Sequence, residues 1–82
     1  MGTGYQNLQV WRDALTLSIE TYRATDRLRD SGLRDQIRRA AVSIPSNIAE
    51  GDERDTDRDS VRFFYIAKGS LAELRTQLEI AK

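Results

Sequence analysis

From Leu33 to Gly51 the chain carries an amphipathic helical pattern that runs straight through a proline. Leu33, Ile37, Ala40, Ala41, Ile44 and Ile48 recur at spacings of three and four, which sets them on one face of an α-helix. Pro45 has no N–H to bond the Ala41 carbonyl, and its ring crowds that same oxygen. In a helix interior this costs about 3 kcal/mol. A chain that places proline in its best-patterned helix is expected to use the resulting kink. Ala40 and Ala41, one turn earlier, leave room for it.

Only 82 residues are available to surround that helix. This is one small domain, near the size at which a single core becomes self-sufficient. Cysteine is absent, so neither a disulfide nor a thiolate metal site can contribute. Histidine is absent too, which removes the usual general base and the commonest metal ligand. Thirteen basic and thirteen acidic side chains cancel, so no global field points to nucleic acid or an anionic membrane. Their placement is uneven. Residues 1–41 hold seven basic and five acidic groups, and residues 42–82 hold six and eight. No apolar run has the length of a membrane span and no signal-peptide pattern opens the chain, so a cytoplasmic protein is expected.

Three helical patterns organise the sequence. After a flexible leader over residues 1–5, the first covers about residues 7–29, with Leu8, Trp11, Leu15, Ile19 and Tyr22 as its stripe and Ala14 and Leu28 beside it. Asp30-Ser31-Gly32 reads as a turn in which Ser31 caps the next helix. The second helix, about residues 31–51, ends with Gly51 at a C-cap position. Thr56, three residues before Asp59, gives a capping-box-like start to the third, about residues 57–82. There Phe64, Ala67, Leu71, Leu74, Leu78 and Ala81 keep a seven-residue rhythm, broadened by Phe63, Ile66 and Ile80. Gly69 and Ser70 are expected to permit close approach of a neighbouring backbone. The domain over residues 6–82 is thus all-α. It reads as an antiparallel up-down bundle with a proline-kinked second helix. The heptad is still running at Ala81 and Lys82, so three helices of a four-helix bundle are expected here, the fourth being absent or supplied by another subunit.

Chemistry finds few candidates. Asp55-Thr56-Asp57-Arg58-Asp59 begins like a calcium loop, but the sixth position is Ser60 rather than glycine and the twelfth is Ile66 rather than a carboxylate. A solvated helix start fits better, and no metal or other cofactor is expected. Glu50, Asp52 and Glu53 offer carboxylates in a charge-rich loop without an evident pocket. No catalytic site and no small-molecule substrate are read from these residues. An enzyme would require a deep pocket lined by Glu50, Asn47 and Ser43.

Surfaces are more informative. Ser43, Asn47 and Glu50 line one side of the second helix, and Asn47 is expected to make a structural hydrogen bond near the proline. Val42, Pro45 and Ala49 make that helix apolar on a further side, which suggests a subunit contact that Phe63 and Ile66 extend. Arg23, Arg27, Arg34, Arg38 and Arg39 form a candidate phosphate-binding face. Asp26, Asp30 and Asp35 are interspersed, so an ion-paired solvated surface is preferred for it.

Leu8-Gln9-Val10-Trp11, the whole block from Gln36 to Gly51, the stretch from Arg62 to Leu74, and Thr76-Gln77-Leu78 together resemble the bacterial four-helix bundle family named for 23S ribosomal RNA intervening sequences. Ser43, Pro45, Asn47, Glu50, Gly51 and Gly69 stand in that signature. The resemblance implies antiparallel four-helix protomers that assemble as cyclic homo-oligomers, typically pentamers. A related branch, the accessory variability proteins of diversity-generating retroelements, forms a basic barrel that engages a reverse transcriptase and nucleic acid. The present chain's balanced charge departs from that branch, and a fourth helix is not expected within residues 6–82. The leading expectation is a non-enzymatic module that self-associates and acts through protein or RNA contacts. The alternative is an RNA-binding protein that uses the arginine face.

Overall fold

The computed structural model describes residues 4–82, so Met1, Gly2 and Thr3 of the expected leader lie outside it. A short 3-10 turn, Tyr5–Asn7, precedes three helices: α1, Gln9–Ala24; α2, Ser31–Asp52; and α3, Asp57–Ala81. No strand occurs among the described residues. Tyr5 is already part of the fold, its ring set edge-on to Trp11 at 5.2 Å. The α2 helix packs against both others, whereas α1 and α3 have no Cα atoms within 8 Å of each other. The result is a slab of 44 × 20 × 15 Å with α2 in the middle.

Both hairpins are antiparallel. On one flank Thr25 meets Arg38 and, further from the turn, Ser18 meets Ala41. On the other, Ser60 meets Gly51 and Ser43 meets Ser70. The buried core is Ala14, Ile37, Ala40, Ala41, Ile44, Ile48, Ala67 and Leu74, in which Ile37 and Leu74 are the large side chains wholly enclosed. Leu71, Leu78 and Ala81 pack at its edge as the heptad of α3 predicts.

The helix ends show what the sequence pattern left out. Asp30, not Ser31, caps α2: its carboxylate accepts from the Leu33 N–H at 3.0 Å, and Ser31 is the first helical residue. Thr56 caps α3 as expected, accepting from the Asp59 N–H at 3.2 Å. The α1 helix stops at Ala24 rather than near Arg29. Its last carbonyls are satisfied there: Thr25 Oγ1 donates to Thr21 O at 2.7 Å, and Arg38 Nη2 donates to Tyr22 O at 3.0 Å. Gly51 is not a C-cap, because α2 continues to Asp52. It is buried against α3, where a Cβ would lie 2.6 Å from the Phe64 ring and 3.1 Å from the Ser60 carbonyl. Gly69 has the opposite setting: it is exposed and a Cβ there would meet nothing within 4 Å, so only its neighbour Ser70 serves helix contact.

The largest departure lies in α1. Its buried residues are Ala14, Ser18 and Thr21, with Thr25 buried just past its end, while Leu15, Ile19 and Tyr22 of the expected stripe are 38%, 46% and 44% exposed. Small side chains let α1 approach α2 closely. Ser18 then supplies what the proline withholds, since its Oγ donates to the Ala41 carbonyl at 2.7 Å. The donor comes from the neighbouring helix, and α2 passes through Pro45 without interruption.

Candidate interaction surfaces

Two of the five candidate arginines are built into the α1–α2 junction. Arg38 is half-buried, donates from Nε to Thr25 Oγ1 at 3.1 Å as well as to Tyr22 O, and stacks over the Tyr22 ring at 4.5 Å. Arg34 donates to the Leu28 carbonyl at 3.2 Å. Each closes the turn by bonding backbone oxygens, which leaves less of it for a ligand. Arg23, Arg27 and Arg39 are exposed and make no hydrogen bond or ion pair among the described residues. The interspersed acids therefore do not pair with them. Asp30 is occupied as a helix cap instead. Arg38 and Arg39 line a shallow hollow with Tyr22 and Val42, and Arg23 lines the adjoining one with Ile19, Tyr22 and Val42. Arg27 lines neither.

Apolar surface is exposed on both sides of the slab. Over α2, between α1 and α3, an open groove of about 450 Å³ is lined by Leu8, Val10, Ile44, Ile48, Phe64 and Leu71, with Lys68 also reaching it. On the outer side, Ile19, Tyr22 and Val42 form a patch beside the arginines, and Val42 is 43% exposed.

Residues 6–82 match the family described as 23S rRNA-intervening sequence protein. The chain belongs to that family. No curated protein matches it.

Within this family member the signature residues have structural work. Asn47 Nδ2 donates to the Ser43 carbonyl at 2.7 Å and to Ser43 Oγ at 2.9 Å, and Ser43 Oγ pairs with Ser70 Oγ at 2.8 Å. Pro45 is buried and so is unavailable to a partner, whereas Val42 is exposed and Ala49 half-buried. On α3, Ile66 is exposed, and Phe63 is half-buried with the Arg54 and Arg62 guanidinium groups over its ring. Glu50 pairs with Arg54 at 3.1 Å and opens on a hollow with Ser46 and Ala49, while Ser43 opens on others. Glu50, Asn47 and Ser43 thus do not converge on one pocket. The sequence reading missed the Ala14, Ser18, Thr21 and Thr25 face. Its signal was present as spacings of four, three and four, but hydroxyl residues carry no weight in an apolar pattern. No helix of the described residues is long and apolar enough to cross a membrane.

Proposed function

We propose that the chain is a non-enzymatic helical scaffold that self-associates and acts through protein or RNA contacts. The observation that carries this reading is the inverted α1 helix. Its small residues face α2, and its large apolar residues Leu15, Ile19 and Tyr22 face water. Burying what remains exposed of such side chains contributes roughly 1 kcal/mol each, and a second subunit is the simplest source of that burial. The groove on the other side has the lining expected of the seat for a fourth helix. Sedimentation velocity across a micromolar concentration series tests the scaffold. A concentration-dependent oligomer is expected, and a monomer at several hundred micromolar overturns the reading.

RNA binding is favoured by one specific observation: Arg23, Arg27 and Arg39 have no internal partner among the described residues. Free guanidinium groups are available to phosphates, and each phosphate contact adds to the salt dependence of binding. Filter binding to structured RNA at two salt concentrations should give an affinity that falls with salt. Arg39→Gln should flatten the slope by about one unit. Absent or salt-insensitive binding rejects the phosphate contact.

A further inference from the structure

A polar hollow of about 430 Å³ lies between α2 and α3. The Ser43–Ser70 hydroxyl pair borders it, and in the antiparallel register set by that pair Gln36 and Gln77 stand together seven residues further on. The two walls differ in chemistry. On α3, Glu73 and Gln77 are four residues apart and share a face. Glu73 is exposed, and its carboxylate has no hydrogen bond or ion pair among the described residues. Gln77 Oε1 is buried and has no hydrogen-bond partner. An amide oxygen enclosed without a donor costs free energy, so its retention calls for a donor from outside the chain. The α2 wall carries donors instead: the Arg39 guanidinium and the Gln36 amide, both without internal partners among the described residues. Arg39 and Glu73 have opposite charges and border the same hollow, yet they do not pair across it.

We infer that this hollow binds a small zwitterion, a free α-amino acid, with its ammonium toward Glu73 and Gln77 Oε1 and its carboxylate toward Arg39 and Gln36. Such a ligand offers each wall the group it lacks: three N–H donors for the acceptors of α3 and two oxygens for the donors of α2. A plain anion would meet the Glu73 carboxylate at the same mouth, and a plain cation would meet Arg39. A nucleobase would find no aromatic ring in the lining on which to stack. An α-amino acid is the smallest molecule that carries both charges. The inference goes beyond the scaffold reading and does not depend on it.

Isothermal titration of the full chain with the standard free amino acids tests the site. At least one should bind with a Kd of about 1 mM or tighter, the range open to a ligand of this size held by exposed charges. Acetylating that ligand's amino group, or converting its carboxylate to the methylamide, should each weaken binding about tenfold. Glu73→Gln and Arg39→Gln should each do the same, and both residues are exposed, so circular dichroism should show the helices unchanged. In the Glu73→Gln chain, acetylating the ligand should cost no more than about twofold further, a coupling that a purely structural role would not produce. Glu73→Gln also leaves every arginine in place, which separates this site from the RNA reading. Gln77→Leu should weaken binding while raising the urea midpoint, since the enclosed oxygen is gone. No binding by any amino acid at about 10 mM, or binding that survives both blocked ends, overturns the site. A lower urea midpoint for Gln77→Leu also overturns it, because that oxygen would then be satisfied without a ligand.

Discussion

The two flanks of α2 are held by different means. Against α3 the contact is apolar and periodic: Ala67 and Leu74 are buried in the core with Ile37, Ala40, Ile44 and Ile48. Against α1 it is made of small and hydroxyl side chains, Ala14, Ser18, Thr21 and Thr25, whose oxygens bond helix carbonyls. The first flank draws on the area it removes from water. The second sets hydroxyls against helix carbonyls, and it leaves Leu15, Ile19 and Tyr22 of α1 outward while Trp11 and Leu17 pack at the core's edge.

The comparison breaks most severely at Leu74, which is 1% exposed. Leu74→Ala should destabilise the fold by about 3 kcal/mol, from lost transfer energy and the cavity left behind. Urea unfolding followed by circular dichroism reads this as a lower midpoint at nearly constant slope. A loss below about 1 kcal/mol would mean that the α2–α3 flank does not carry the fold. Next comes Gly51→Ala, expected to cost about 2 kcal/mol, because the exposed Phe64 ring can swing away but the Ser60 carbonyl is backbone and must shift. Gly69→Ala is its counterpart. With open space around it, that change should stabilise the helix by roughly 0.5–1 kcal/mol. Opposite signs at two glycines would separate close packing from helix propensity in the same assay.

On the α1 flank, Ser18→Ala leaves the buried Ala41 carbonyl without its 2.7 Å donor and should cost about 1.5 kcal/mol. The sharper test adds Pro45→Ala, which returns an N–H to that carbonyl. In the Pro45→Ala background, Ser18→Ala should cost about 1 kcal/mol less. Additive effects would show that the hydroxyl does not stand in for the missing amide.

These unequal flanks also explain what could be read in advance. The α3 heptad and the Thr56 cap were legible, since each is a local pattern with a direct physical signal, whereas Asn47 bonds Ser43 and the carbonyl freed by the proline is served by Ser18 of α1. The burial of Ser18, Thr21 and Thr25 was not, because an apolar count scores them as surface. The Thr21 and Thr25 hydroxyls bond carbonyls one turn back in their own segment, and Ser18 alone reaches a carbonyl of the neighbouring helix, so their burial shows only once the two helices meet. Arg38 and Arg34 were misjudged for the same reason. Guanidinium groups that read as a ligand face are drawn on by the carbonyls where α1 ends, an end that the expected continuation to Arg29 had hidden. Gly51 and Gly69 look alike in a sequence, and the Phe64 ring and Ser60 carbonyl packed against the first tell them apart.

The smallest effect discriminates best between the flanks, because hydroxyls occur on both. Ser70 is buried against α2 and bonds Ser43 at 2.8 Å, superficially as Ser18 bonds Ala41. The partner differs, however. Ser43 Oγ also accepts from Asn47 Nδ2 at 2.9 Å, and Ser43 is only half-buried, so removing Ser70 leaves its hydroxyl within reach of water. Ser70→Ala should therefore cost about 0.5 kcal/mol, and less again in a Ser43→Ala background, since the two hydroxyls share one bond. The Ala41 carbonyl has no such second donor in its own helix, because Pro45 occupies the position that would provide it. If Ser70→Ala proves as damaging as Ser18→Ala, both flanks depend on buried hydroxyls and the contrast fails. If it is threefold milder in free energy, the hydroxyl on α1 is a backbone donor by proxy and the one on α3 is packing.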